Sequence, residues 1–141
     1  MRNATSIGQE SFTSVTEPDF LIDTSVLIYL SENSFGRLTE RVETMKRGEI
    51  ATSSIAFAEF ARGVDWSLDY ADATVERFFD AIAILPFDQV AARHYADLPF
   101  ACHRFDRLIA AHALALDLTL ITANPSDFHD IPRLRVEDWT R

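Results

Sequence analysis

A carboxylate inside an apolar helix is the feature of this sequence that most clearly suggests chemistry. Glu59 interrupts the segment Ser53–Phe60, which has helical spacing and is apolar over most of its circumference. Burying an unpaired carboxylate there would cost several kcal/mol, so Glu59 needs a cation, a proton or hydrogen-bond donors. A buried ion pair with Arg62 or Arg104 would also satisfy it.

Three further acidic residues lie where predicted strands end or predicted helices begin. Asp23 ends an apolar strand, Asp106 begins an apolar helix, and Asp127 follows a strand. Taken alone, Asp23 and Asp106 could be helix caps, and Asp127 could be a loop or turn residue. Parallel strands bring such positions to one edge of a sheet, where ligands bind. We therefore expect one acidic cluster that includes Glu59, and its all-oxygen character favours Mg²⁺ or Mn²⁺ over Zn²⁺.

Alternating strands and helices must position these acids. Short apolar runs predict strands at 20–22, 50–52, 83–87, 119–122 and 134–136. Helical spacing predicts helices capped by Thr24 or Ser25, by Ser53 or Ser54, and by Asp88, with others at 35–47, 70–84 and 105–116. Strands alternating with helices are typical of a parallel sheet covered on both faces. We predict a three-layer α/β/α domain around a central, mainly parallel sheet of four or five strands.

Length and composition are those of one globular domain. The chain has 141 residues, 48% of them hydrophobic, which allows a core without disulfides. The lone Cys102 excludes an internal disulfide and a four-Cys zinc site. Residues 1–18 are polar and aperiodic, so we predict a mobile extension before a domain at 19–141. Without a secretory signal or an apolar run of about 18 residues, we expect a cytoplasmic protein with no membrane span.

The net charge bears on the choice of partner. Thirteen Lys and Arg stand against 22 Asp and Glu, for a net charge of −9. This argues at first against a nucleic-acid partner, because phosphate binding depends largely on Lys and Arg. Carboxylates gathered around cations would reverse that conclusion, since the cations would then receive the phosphate.

Five strings spread over residues 20 to 139 carry a family resemblance. They are, in order, LIDTSVLIYL, TSSIAFAEFARGV, LPFDQVAARHYADL, FDRLIAAHALALDLTLITANPSDF and LRVEDW. Together they resemble a PIN-domain ribonuclease and are most similar to the VapC-like toxins of bacterial toxin–antitoxin pairs. The specific part is the D-x-x-I-A-A-x-A helix followed by a T-x-N-x-x-D-F turn.

The resemblance implies an endoribonuclease with an acidic pocket that binds Mg²⁺, with Mn²⁺ able to substitute. Ser25 matches a hydroxyl that supports the first acid, and Thr122 and Asn124 match polar residues beside the pocket. By position, Asp23, Glu59 and Asp106 match the family's three main acids, and Asp127 matches its fourth. One metal ion would lie between Asp23 and Asp106, and a second could lie nearer Glu59 and Asp127.

The resemblance also implies partners. They are an RNA substrate, a cognate antitoxin with a basic residue near the acids, and a second copy of the chain in a homodimer. Three arginines near the motif acids could hold flanking phosphates, although salt bridges explain them at least as well. These arginines are Arg62, Arg104 and Arg107.

The segment before the third acid departs from the family pattern. Residues 99–105 replace a longer, Gly-containing segment, which bears on substrate shape. His103 invites a general-base role that the family does not need, and His112 fits packing or pairing better.

Two other functions compete with the nuclease. A PIN-like module could bind RNA or a partner without cleaving, although all four acids are present. A phosphotransferase or phosphatase is faintly suggested by Ile22–Ser25, but it lacks the second Asp and the Lys that such a site needs.

Overall fold

Each of the first three strands is followed by a pair of helices. The computed structural model describes residues 17–99 and 104–141. The strands are β1 (Phe20–Ile22), β2 (Ile50–Ser53), β3 (Ala83–Leu85), β4 (Thr119–Ile121) and β5 (Val136–Glu137). The helices are α1 (Thr24–Glu32), α2 (Gly36–Glu43), α3 (Ser54–Arg62), α4 (Ala71–Phe78), α5 (Gln89–Ala96) and α6 (Phe105–Leu116). A short 3-10 helix spans Pro125–Phe128.

The strands form one sheet in the order β3-β2-β1-β4-β5, and every pairing is parallel. Leu21 of β1 lies opposite Ala51 of β2 on one side and Leu120 of β4 on the other. The prediction of a mainly parallel sheet of four or five strands is confirmed.

Helices cover both faces of the sheet. All residues of Ile50–Ser53 and Thr119–Ile121 are buried. Successive side chains of a strand point to opposite faces, so burial of every residue requires a layer on each side. Helix α6 packs against both α5 and α3, and α3 also packs against α1. The predicted three-layer α/β/α fold is confirmed.

The strand order determines where a site can form. The chain runs from β1 to β2 and β3 on one side, and later adds β4 and β5 on the other. The order reverses between β1 and β4, and open α/β sheets bind ligands outside the carboxyl ends of the strands at such a point.

Side chains cap three of the helices. Ser53 accepts from the Ile55 N–H at 3.1 Å and caps α3, as predicted. Asp88 caps α5, also as predicted. For α1 the prediction of Thr24 or Ser25 is wrong, and the alternative of Asp23 as a cap is confirmed, because Asp23 follows β1 with an extended backbone and accepts from the Val26 N–H.

Helix α2 is shorter than the helix predicted at 35–47. It ends at Glu43, where the Thr44 hydroxyl donates to the Arg41 carbonyl at 2.7 Å and competes with the next helical hydrogen bond. Gly48 then adopts a φ of 90°, which suits the turn into β2.

Helix α4 also stops early, at Phe78 instead of residue 84. Phe78 and Phe79 both pack against Phe60, at centroid distances of 5.6 and 5.3 Å. The chain then turns so that Ile82 enters the core and β3 can pair with β2. Apolar residues that continue the helical spacing therefore pack into the core from a turn and not from a helix.

Some predicted features lie outside the described residues. These are almost all of the polar N-terminal extension, together with Cys102 and His103. Among the described helices, none combines the length and the apolar character needed to cross a membrane.

Candidate active site

The four predicted acids line a single cavity. It has a volume of about 700 Å³ and lies at the carboxyl ends of β1 and β4, where the strand order reverses. Apolar side chains of α6 form part of its wall. The predicted site residues that line it are Asp23, Ser25, Glu59, Arg104, Asp106, Thr122, Asn124 and Asp127.

Asp23 is the buried acid of the site. It is 5% exposed, and its Oδ1 accepts from the Ser25 hydroxyl at 2.7 Å and from the Val26 N–H at 3.0 Å. Burial raises the pKa of Asp23, hydrogen bonds from Thr122, Ser25 and Val26 lower it, and the charge of Asp106 raises it. The net pKa shift is upward. A nearby cation would favour the ionised form.

Hydroxyl groups join the end of β1 to the loop after β4. The Thr122 hydroxyl is fully buried, lowers the pKa of Asp23 and accepts a hydrogen bond from the Asn124 N–H at 3.1 Å. The Ser25 hydroxyl accepts from the Ala123 N–H at 3.4 Å. The Ser25 hydroxyl therefore ties the Asp23 carboxylate to the loop after β4, and the Thr122 hydroxyl holds the same loop.

Glu59 enters the cavity from α3. It is half-buried, and its Oε1 accepts a hydrogen bond from the Thr24 hydroxyl. A side chain at the start of α1 thus satisfies part of the burial cost that the sequence indicated.

The other two acids, Asp106 and Asp127, share one arginine partner at the opening of the cavity. Asp106 lies in the first turn of α6, and Asp127 lies in the 3-10 helix. Arg104 contacts both Asp106 oxygens, with Nη2–Oδ2 at 2.7 Å and Nε–Oδ1 at 3.2 Å. Its Nη2 is 3.9 Å from an Asp127 oxygen. These acids are 24% and 43% exposed, in contrast to Asp23.

A family model described as PIN domain matches residues 20–134. The chain belongs to the PIN-domain family.

This PIN domain aligns with nearly the full length of several relatives. It is 30% identical over 129 residues to a tRNA(fMet)-specific endonuclease VapC from Salmonella typhimurium, covering 85% of this chain and 97% of the relative. It is 29% identical over 130 residues to the Shigella flexneri protein of the same name, covering 86% and 98%.

Solved structures of VapBC complexes share its fold. DNA-bound VapBC from Salmonella typhimurium aligns with a TM-score of 0.74 and 30% identity, covering 86% of this chain and 98% of that one. VapBC2 from Rickettsia felis, bound to a DNA fragment from its promoter, aligns with a TM-score of 0.72 and 27% identity, covering 85% and 98%. The resemblance to VapC-like ribonucleases is confirmed, and with it the nuclease class of this enzyme.

The donor set of this PIN domain fits a hard divalent cation. Four carboxylates and several hydroxyls face one cavity, which is the ligand chemistry of Mg²⁺ and Mn²⁺. The buried Asp23 has an upward-shifted pKa and a like charge nearby, so it lacks a full counter-charge. As placed in the described ranges, however, no three Asp, Glu, His or Cys side chains are close enough to hold an ion together.

The predicted arginines occupy different places. Arg104 lines the cavity, whereas Arg62 is exposed at the end of α3 and is not among the lining residues. Arg107 is buried and donates to both oxygens of Asp130 at 3.0 and 3.1 Å. The salt-bridge alternative therefore describes Arg104 and Arg107 in this structure.

Several residues of this PIN domain acquire their roles only through the fold. The sequence suggested Thr24 as a cap, whereas it holds Glu59. Tyr95 lines the cavity from α5, and its only sequence signal was an aromatic residue on a helix. His112 packs as predicted, with Nδ1 2.9 Å from the Ser53 hydroxyl oxygen and its ring edge-on to Phe87.

Proposed function

We propose that this protein is a Mg²⁺-dependent endoribonuclease and the toxin of a toxin–antitoxin pair. Mn²⁺ would substitute for Mg²⁺, and RNA would be cleaved by hydrolysis of a phosphodiester bond. The observation that carries the proposal is the convergence of four carboxylates on one cavity in a VapC-like PIN domain. An RNA substrate implies action in the cytoplasm.

Each side chain has a role in this proposal. Asp23 and Asp106 would hold the ion, with Glu59 and Asp127 near a second position. The bound ion would supply Lewis acidity toward the phosphate and would lower the pKa of water. Ser25 and Thr122 keep the Asp23 carboxylate in one orientation and offset the effect of burial on its pKa. Removing a supporting hydrogen bond of this kind typically lowers metal affinity or activity by about 10- to 100-fold.

The acidic composition then becomes a property to test. With a net charge of −9, the protein offers little attraction for phosphate without a divalent ion. Recruitment of RNA through cations at the carboxylates predicts cleavage that depends strictly on metal. Tight RNA binding in EDTA would contradict this.

The comparisons support an antitoxin as a protein partner. The similar solved structures include VapBC complexes. We propose that this chain is held inactive by an antitoxin that places a basic residue near the acids, and that it forms a homodimer. Co-expression with the product of a neighbouring small reading frame should yield a complex on size-exclusion chromatography.

The proposed reaction is tested by incubating the purified protein with structured RNAs in Mg²⁺, Mn²⁺ or EDTA. A tRNA(fMet) is the first substrate to try, because two relatives carry that specificity in their names. Asp23→Asn should lower cleavage by roughly 100-fold or more, since metal stabilisation of charge is worth several kcal/mol. Asp97→Asn is the matched control, because Asp97 pairs with Arg93 on the exposed surface of α5.

Two results would contradict the proposal. Cleavage in EDTA, or equal cleavage by Asp23→Asn, would exclude the metal mechanism. RNA binding without cleavage of any RNA would instead favour the non-catalytic binding module.

A further inference from the structure

One guanidinium group is already bound to the acids at the opening of the cavity. Arg104 forms a two-point contact with Asp106, at 2.7 and 3.2 Å, and lies 3.9 Å from Asp127. Two-point pairing of arginine with a carboxylate is stronger and more specific than a single contact. Both acids that face Arg104 belong to the four-carboxylate set.

The helix itself does not explain why Arg104 is there. Arg104 is the N-cap residue of α6, with extended backbone angles of −137° and 147°, and within the described part of the chain its side chain makes no capping hydrogen bond to the helix. A positive charge at a helix N-terminus is disfavoured by the helix dipole. The carboxylates of Asp106 and Asp127 therefore compensate the positive charge of Arg104.

We propose that Arg104 is an internal counter-ion that a divalent cation must displace from Asp106 and Asp127. This inference rests on the proposed function, because it assumes that the four acids bind such a cation. Oxygens that accept from Arg104 in the present arrangement have fewer lone pairs free for a metal. Arg104 therefore weakens divalent-ion binding, and it keeps the two acids neutralised when no such ion is bound.

The size of the effect follows from the exposure of the pair. Arg104 is 42% exposed and Asp106 is 24% exposed, so water and salt screen their attraction. A screened ion pair of this kind corresponds to roughly a two- to fivefold factor in an equilibrium constant. Removing Arg104 should strengthen ion binding by about that factor.

The test is a calorimetric titration of the purified full-length chain with Mn²⁺. Arg104→Gln and Arg104→Met should bind Mn²⁺ about two- to fivefold more tightly than wild type. Arg104→Lys keeps the charge but not the two-point contact, so its Mn²⁺ affinity should fall between that of wild type and that of Arg104→Gln. Arg93→Gln removes the same charge from an exposed pair with Asp97 on α5, and its affinity should match wild type. Melting in EDTA gives a second measurement, in which Arg104→Gln should melt lower than wild type and gain more from added Mn²⁺.

The outcomes separate this inference from the function on which it rests. Equal Mn²⁺ affinity of Arg104→Gln and wild type, or weaker binding by the variant, would overturn the role of Arg104 alone. An equal gain in Arg93→Gln would also overturn it, by reducing the effect to net charge. Absence of Mn²⁺ binding by every variant and by wild type would overturn the proposed function and this inference together.

Discussion

The two halves of the acidic cavity are built differently. The inner half consists of Asp23 with Ser25 and Thr122, at the ends of β1 and β4, where the acid is 5% exposed and fixed by hydrogen bonds. The outer half consists of Asp106 and Asp127, which are 24% and 43% exposed and share a guanidinium. One half is held by the core of the sheet, and the other by ion pairs at the surface.

This difference means that the inner acid is already positioned, whereas the outer acids must change their contacts when a cation binds. An acid fixed by hydroxyls at strand ends needs no rearrangement to receive a cation, whereas acids bound to Arg104 must release it. Hydrogen bonds shielded from water resist perturbation, and exposed ion pairs are weak and screened. Changes to the inner half should therefore have larger effects than changes to the outer half.

The largest effect should come from Thr122→Val. This change keeps the shape of a fully buried side chain and removes the hydroxyl that lowers the pKa of Asp23 and holds the Asn124 N–H. Mn²⁺ affinity, measured by calorimetry, should fall by about 10- to 100-fold. Thr52→Val is the matched control, because that fully buried hydroxyl donates to the Ile22 carbonyl at 2.8 Å instead of to a site acid. Equal losses of affinity in both variants would show that the inner half acts through general stability.

A smaller effect should follow from Arg107→Ala, which weakens the support of the outer half. Arg107 is 7% exposed and also donates to the Asp127 carbonyl at 3.4 Å, so it ties α6 to the 3-10 helix. Truncation should lower the free energy of unfolding by about 1 to 2 kcal/mol, measured by urea denaturation, because packing is lost.

Arg107→Met is the control for that change. It preserves much of the packing and removes two buried guanidinium nitrogens that have no hydrogen-bond partner among the described residues. It should therefore be more stable than Arg107→Ala. Equal destabilisation by Met and Ala would show that the ion pair, and not packing, dominates.

The smallest effect is a pH dependence from His112, which lies on the helix that begins with Asp106. Burial lowers the pKa of His112, and the charge of Asp88 partly opposes this. The folded state therefore keeps the ring neutral where the unfolded state takes up a proton. Stability should fall as the pH drops below the ordinary histidine pKa of about 6.5, by at most about 1.4 kcal/mol per pH unit.

His112→Gln should reduce this slope between about pH 7 and pH 5. The relevant quantity is the difference in unfolding free energy between the variant and wild type, because this subtraction removes the pH dependence that the two proteins share. A difference that stays constant across this range would contradict the inferred pKa shift.

The sequence predicted all four acids that line the cavity, but it did not predict the contacts that hold the outer two. The apolar run before Asp23 marks a buried strand, and parallel strands bring their ends together, so local pattern was sufficient for Asp23, whereas Ser25 and Thr122 came from the family resemblance. The contacts of Arg104 and Arg107 depend on side-chain directions in the fold, which spacing does not reveal. The same limit applies to Thr24, whose hydroxyl meets Glu59 across 35 positions of the chain.

The early end of α4 has a similar cause. Phe78, Phe79 and Ile82 continue a helical pattern, but tertiary contacts with Phe60 and the core require a turn. Amphipathic spacing reports which residues are buried, and it does not distinguish a helix from a turn that buries the same residues.

The central claim is that the four carboxylates form a divalent-cation site, and anomalous scattering from crystals grown with Mn²⁺ tests it most directly. We predict a manganese peak in contact with the carboxylates of Asp23 and Asp106, with the Arg104 guanidinium moved away from Asp106. A cavity without a peak at saturating Mn²⁺, or with Arg104 still bound to both acids beside the ion, would contradict the account.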